Sequence, residues 1–418
     1  HTSFGVWDFF KLRGEEMKDI IEIISDLSKN MDMGITCLKL PLRCEKNCDY
    51  ETCVKDTFHK LLVELEKPAL QSSKEVIERI CNTIIDAFKA SSQGDTNICD
   101  DLMKKLLKDY LNDPFYVSEL DKSYAFRGVA CFENLQVEGH DNVYKQMQND
   151  QLSFFRGRTV KLNYNEKIEH RREMVHLPYS MLDRTSDLRF SEKGRVGLYL
   201  GVTSWICAKE CKWDSSAENL YVSGFHFNEK GKKLKILNLC AFQSLLNGIG
   251  NPYEDNTMHT KMLKIFPLII ATSVAIKDKD RDVKYEYLLS QSLMRVINQN
   301  GIDGIAYLSC QGEDDFDFPH AVCLAFPIND INEQKQYSKL CNCFDMTKPV
   351  KIKTTLDSKM EKKSYIVRNF PCYETTIEGI DSHENFTSKV YEKGKRIFYQ
   401  DTMYSTIDEY IEWQLYSA

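Results

Sequence analysis

The sequence predicts an α+β protein in which a helical part precedes a strand-rich part. Two observations carry that expectation. Up to about residue 123 apolar residues recur at helical spacing, and beyond it short apolar runs alternate with turns. A chain of 418 residues also exceeds one small domain. The expected division is a helical domain over 1–123, a linker or edge segment over 124–150, an α+β domain over 151–340, and a C-terminal appendage over 341–418.

In the first part, "VKDTFHKLLVEL" places Val54, Phe58, Leu61, Leu62 and Leu65 on one helical face. "KEVIERICNTIIDAF" repeats the pattern with Val76, Ile77, Ile80, Ile84 and Phe88, with Ser72 or Ser73 as its expected cap. "DDLMKKLLKDYL" does so with Leu102, Leu106, Leu107 and Tyr110, and Asp113-Pro114 stops it. The stretches 195–202, 220–227, 233–239, 303–310 and 321–328 read as strands, and 285–301 as an amphipathic helix ending at Asn300-Gly301. After Pro327 the chain turns polar. Residues 348–367 read as a charged hairpin or linker, and 404–417 as a terminal helix capped by Ser405 or Thr406.

Charge narrows the partners. Residues 1–150 hold 27 acidic against 19 basic side chains, whereas the remainder holds 35 against 36. Neither part has the basic footprint of a nucleic-acid binder. The acidic first part suits a solvated helical surface or a docking face for a basic partner. The longest apolar run, residues 266–276, is too short to cross a bilayer. The opening "HTSFGVWDFF" does not read as a secretory leader, and the fifteen cysteines lack the spacing of a small disulfide framework. Reduced thiols in a cytoplasm are the expectation.

Three motifs read as ordinary structure. Cys37, Cys44, Cys48 and Cys53 are separated by six, three and four residues. Zinc ligands usually come in closer pairs. A helix face or short loop explains these cysteines as well, and no metal is expected. Arg171 and His176 in "RREMVH" would make an acid/base pair, as in some ribonucleases, only on a helix, which Pro178 discourages. The acidic run at 313–318 lacks the glycine and closing glutamate of a calcium loop.

One constellation is harder to dismiss. "SFFRGR" carries Arg156 and Arg158, "LRFSEKGRVGLYLG" carries Arg189 and Tyr199, "CAKE" ends in Glu210, and "GIAYLS" ends in Ser309. Taken with "HLPY", this run resembles the RES-domain family, NAD-degrading toxins and defence effectors with an ADP-ribosyltransferase-like fold. The resemblance covers roughly residues 150–330 and is most specific in "GLYLG" with its glutamate eleven residues beyond the tyrosine. Where many members have a Gly-Arg-Trp-Asn-like run, this chain has Leu188-Arg189-Phe190-Ser191, a form similar to a subgroup with an added N-terminal helical region.

The resemblance implies a split β-sheet catalytic domain preceded by an all-α domain. It implies a bacterial, cytoplasmic enzyme that cleaves the nicotinamide–ribose bond of NAD, its substrate, with no metal. Glu210, Arg189 and Tyr199 take the catalytic roles, and Arg156, Arg158 and Ser309 bind the dinucleotide. Cleavage passes through an oxocarbenium-like state that a carboxylate can stabilise. An arginine fork suits the pyrophosphate, and a tyrosine can stack on the nicotinamide ring. Water, inorganic phosphate as co-substrate, or a macromolecular side chain could accept the ribose, and Arg158 or Arg195 could help to hold a phosphate. Transfer to a macromolecule and a non-catalytic NAD or ADP-ribose sensor stay open. An antitoxin, a sensor subunit or self-association through the helical region is the expected control.

Overall fold

The computed structural model describes residues 40–44, 48–66, 71–126, 153–164, 167–240, 256–278, 281–312, 320–352, 389–392, 394–399 and 402–416. The fold is mixed α+β. Helices α1 (Tyr50–Glu64), α2 (Gln71–Ser92) and α3 (Thr96–Lys108) come first. Asp49 caps α1 by accepting the Thr52 amide at 2.8 Å. Its buried stripe is Tyr50, Val54, Phe58 and Leu61, at the spacing the sequence predicts. The second helix begins at Gln71, so Ser72 and Ser73 lie inside it and do not cap it, and Val76 faces out at 40 % exposure.

A nine-stranded sheet follows, built from β1 (Val117–Glu119), β2 (Ser153–Lys161), β3 (Val196–Gly201), β4 (Glu218–Phe227), β5 (Lys235–Leu239), β6 (Gly304–Leu308), β7 (Val322–Ile328), β8 (Phe344–Met346) and β9 (Val350–Lys351). Its order is β1-β5-β6-β7-β3-β2-β4-β8, with β9 also on β4. Every strand expected from the sequence is present. The β5–β6 pair is parallel, and the pairs β1–β5, β6–β7, β7–β3, β3–β2, β2–β4, β4–β8 and β4–β9 are antiparallel. A parallel pair needs a crossover. Helices α4 (Ser204–Glu210), α5 (Asn256–Thr272) and α6 (Tyr285–Val296) come next in the chain, and the last two lie in that crossover. After α6, a 3₁₀ turn leads to Gly301 at φ 71°, the left-handed position that ends the predicted helix.

One junction in this sheet is narrow. β2 runs beside β4 from Ser153–His226 to Lys161–Glu218, and β3 beside β7 from Val196–Ile328 to Gly201–Cys323. β2 and β3 meet only at Phe155–Gly201. Gly201 is required there by a close approach: a Cβ would stand 2.4 Å from Ile206 of α4.

A hairpin, β10 (Lys389–Glu392) with β11 (Lys395–Phe398), and helix α7 (Met403–Tyr416) complete the described chain. Thr402 accepts the Ser405 amide at 3.2 Å, so the cap of α7 lies upstream of the expected Ser405 or Thr406. One buried core runs from Leu40 to Ile411, and α1–α3 share it with the sheet. The 313–318 run, Cys37 and residues 353–367 lie outside the described residues.

Candidate active site

The chain is short between β3 and the end of α4, and that brevity sets one wall of the site. Thr203 caps α4, accepting the Ile206 amide at 3.2 Å, and the helix ends on Glu210. Beside it opens a cleft of 310 Å³, lined by β2, β3, α4, α6 and the residues after β6. Its lining includes Arg156, Arg189, Tyr199 and Glu210, four of the six residues singled out in the sequence. The cleft opens where β2 and β3 part.

Glu210 is exposed as a residue, and it lines the cleft. Burial pushes it above the usual carboxylate range, against the pull of the Ser309 hydrogen bond and the nearby Arg189 and Lys212 charges. Ser309, 2 % exposed, donates its hydroxyl to Glu210 Oε1 at 2.5 Å and accepts the Gln311 amide at 3.1 Å. Ser309 therefore fixes the carboxylate from behind instead of lining the cleft.

Arg189 is the second residue of a tight turn closed by Leu188 and Ser191, whose amides and carbonyls exchange hydrogen bonds at 2.7 and 3.2 Å. Gln291 of α6 pins that turn by donating to the Leu188 carbonyl at 3.1 Å. The guanidinium donates to the carbonyls of Thr272 and Val274 at the C-terminal end of α5, at 2.8 and 3.0 Å. A helix C-terminus carries partial negative charge, so the cation is both matched and aimed there. Its carbon lies 5.2 Å from the Tyr287 ring centroid. Two of its five donors are thus committed to carbonyls, and the rest are oriented by them.

Tyr199 lies 2.6 Å, hydroxyl to hydroxyl, from Ser191, which ties β3 to the same turn. Gly197 makes that geometry feasible, because a Cβ would stand 2.6 Å from Ser191 Oγ and 2.8 Å from the Tyr199 ring.

Arg156 forms the opposite wall. Its Nη1 is buried without a hydrogen-bond partner among the described residues. Burial, then the neighbouring Arg158 charge, pulls its pKa down to about 10. Arg158 does not line the cleft: Nη1 donates to the Glu173 carbonyl at 2.6 Å. Strand parity put both arginines on one face, but the side chain of Arg158 finds a carbonyl of the neighbouring 3₁₀ turn. Arg195 pairs with Glu192 at 3.2 Å and is likewise outside the cleft lining.

Lys212, Tyr287, Cys310 and Gln311 also line the cleft and were missed from the sequence. Lys212 had a weak signal, standing two residues after Glu210; its left-handed backbone, φ 49°, is not legible there. The lining cations Arg156, Arg189 and Lys212 face Glu210 as the one carboxylate among the lining residues, so the cleft is positive in a chain of net charge −7.

The other motifs fall elsewhere. Residues 171–174 form a 3₁₀ turn, and the buried His176 ring is held between the Leu177 carbonyl at 2.7 Å and the Ser338 amide at 3.0 Å. Arg171 is exposed, so the pair does not converge. Cys44 and Cys53 are neighbours, and no group of three or more possible metal ligands occurs among the described residues. No helix among them is long and apolar enough to cross a membrane.

Comparison with curated proteins finds a similar one in Bacillus subtilis (strain 168), named "Putative toxin YopC", 26 % identical over 236 residues. The match covers 53 % of this chain and 52 % of that protein, so the chain spans about half the length of the curated relative it matches. No family model matches the chain, and no solved structure does.

Proposed function

We propose that this protein cleaves the nicotinamide–ribose bond of NAD, acting as a glycohydrolase or phosphorylase of the RES type, and that it is a toxin or defence effector. One observation carries the reading: Arg156, Arg189, Tyr199 and Glu210, from three strand and turn segments and one helix end, converge on a single positive cleft. The curated relative's name supports the toxin half of the reading. The narrow β2–β3 junction supports a split sheet of the ADP-ribosyltransferase kind, with its substrate in the split.

In this reading the dinucleotide's phosphates sit by Arg156, whose Nη1, without a partner among the described residues, is suited to a phosphate oxygen. The nicotinamide ring packs against Tyr199 or Tyr287. The C–N bond to the ribose breaks, and nicotinamide leaves as a neutral molecule with the bonding electrons. Positive charge develops on the ribose beside Glu210, which stabilises it as a carboxylate. Water or phosphate then adds to that carbon and gives its proton to solvent. Arg189 stays fixed on α5 and keeps the Glu210 charge oriented.

The test is nicotinamide release from NAD by purified protein, with and without phosphate, beside Glu210→Ala and Arg189→Ala. Release by the wild type that both variants lose supports the reading. A phosphorylated ADP-ribose product identifies phosphorolysis. Tight NAD binding without turnover points instead to a sensor, and absence of binding removes the proposal.

A further inference from the structure

The C-terminal segment lies outside the stretch that carries the family resemblance, yet its described part is packed on the helix that ends in Glu210. Asp408 of α7, fully buried, accepts the Ser204 amide at the start of α4 at 3.0 Å. Its other oxygen accepts the Tyr399 hydroxyl at 2.5 Å. Glu392 of β10 accepts the indole N–H of Trp205 at 2.9 Å and lies 3.6 Å from Lys209. The start, first turn and last turn of α4 are therefore each held from residues 392–408.

The same segment braces the other partner of Glu210. The Tyr399 ring stacks on His320, centroids 4.2 Å apart and 19° between planes. His320 also accepts the Thr203 hydroxyl on its carbonyl at 2.9 Å. The next residue, Ala321, accepts the Ser309 amide at 3.0 Å. Asp408 and Tyr399 thus stand behind both ends of the Ser309–Glu210 hydrogen bond.

We infer that Asp408 is a positioning residue, which through Tyr399, α4 and His320 sets the Glu210 carboxylate in the cleft, so that the C-terminal segment is a working part of the active site. This rests on the NAD-cleaving reading for its consequence in rate, though not for its geometry. Seven residues make fewer than two full turns, too short a helix to hold itself in water. A carboxylate at its first amide matches the positive end of the helix dipole as well as the hydrogen bond. At ~1.5 Å rise per residue, Ser204 and Glu210 are about 9 Å apart along one small rigid body. A tilt at the capped end is delivered to the carboxylate, where a misplacement of about 1 Å can cost up to ~100-fold in rate.

The experiment uses the full chain with Asp408→Asn, Asp408→Glu and the milder Tyr399→Phe. Two readouts are taken: steady-state nicotinamide release, and amide hydrogen exchange without ligand. For Asp408→Asn, kcat is expected to fall at least ~10-fold with KM within about twofold. Amides of α4 should exchange about tenfold faster while β6 and β7 keep their protection. Tyr399→Phe should show the same pattern more weakly, and Asp408→Glu should recover part of kcat. Unchanged kcat and unchanged α4 exchange in folded variants overturn the inference. So does a loss of rate that merely follows the unfolded fraction in both Asp408→Asn and Tyr399→Phe. If the wild type releases no nicotinamide, the NAD reading fails alone. Exchange in α4 then decides whether Asp408 holds that helix.

Discussion

Two arginines, at the front and at the back of the same turn-and-strand scaffold, are treated in opposite ways. Arg295 of α6 lies behind the Leu188–Ser191 turn, its side chain 12 % exposed. It bonds Asp100 of α3 through Nε and Nη2 at 2.6–3.1 Å and Glu192 through Nη1, while Ser292 also donates to Asp100 at 2.6 Å. Its charge is matched on two sides. Arg156 in the cleft wall has a buried Nη1 without a partner among the described residues and another cation, Arg158, as its neighbour. A buried, unmatched cation is costly to the fold. In the proposed reading a phosphate of the substrate completes that pairing in the cleft, whereas Arg295 is complete without one.

The largest effect expected is at Glu210. Glu210→Gln should lower the rate of nicotinamide release by about 10³-fold, the scale for losing a preorganised charge at a developing cation. Its thermal midpoint should equal or exceed that of the wild type. The sign follows from burial. A carboxyl raised above its unfolded value binds a proton more tightly in the folded state, so it costs stability as pH rises from the unfolded value through the folded one. The same shift gives the pH dependence of rate. Activity should rise with pH along a limb displaced above the ordinary carboxylate value of about 4.3, and a limb at or below it would contradict the assignment.

Next comes the contrast itself. Arg295→Met leaves Asp100 with the Ser292 hydroxyl and Glu192 with the exposed Arg195, and should lower unfolding free energy by about 2–3 kcal/mol, less than for a fully buried pair because both carboxylates are partly solvated. Adding Asp100→Leu should restore about half of that loss, measured by urea unfolding. Arg156→Met should do the reverse: stability unchanged or raised by up to about 1 kcal/mol, and KM for NAD raised about tenfold. If both methionine variants lose stability alike, the distinction between scaffold and binding arginine collapses. The smallest effect is at Gly197. Gly197→Ala must displace the Tyr199 ring or Ser191, and should lower kcat/KM about threefold with a stability loss of about 1 kcal/mol.

Much of this was legible before any coordinates, for a physical reason. Side-chain period two and period 3.6 are local, so five of the nine strands and the helices α1–α3, α6 and α7 could be read from the chain, whereas α4 and α5 were not. Arg189 and Tyr199 stand ten residues apart and meet through one turn, which is also nearly local. Tyr287 was not legible, because it reaches the cleft only through the packing of α6, within the β5–β6 crossover, beside the sheet. Asp408 was not legible for the same reason, since its partner Ser204 lies 204 residues away. Arg158 shows the opposite failure. Parity fixed its face correctly in principle, but the length of an arginine side chain lets it choose a partner beyond that face. The shared core is a further case: a change of texture near residue 124 marks a change of secondary structure, and says nothing about whether the two parts are packed apart.

The meeting of β2 and β3 at Phe155–Gly201 alone has a mechanical consequence. In the proposed reading the two halves of the sheet, paired at that one position and bridged by α4, are two plates on one rivet, and the cleft is the gap between the plates. Arg156 hangs from one plate and Tyr199 from the other. A bound molecule that touches both is a brace across that gap. Occupancy would then be felt far from the cleft, as stiffening between the outer strands β4 and β8 on one side and β5 to β7 on the other. An inhibitor filling only one wall would leave the rivet to work alone.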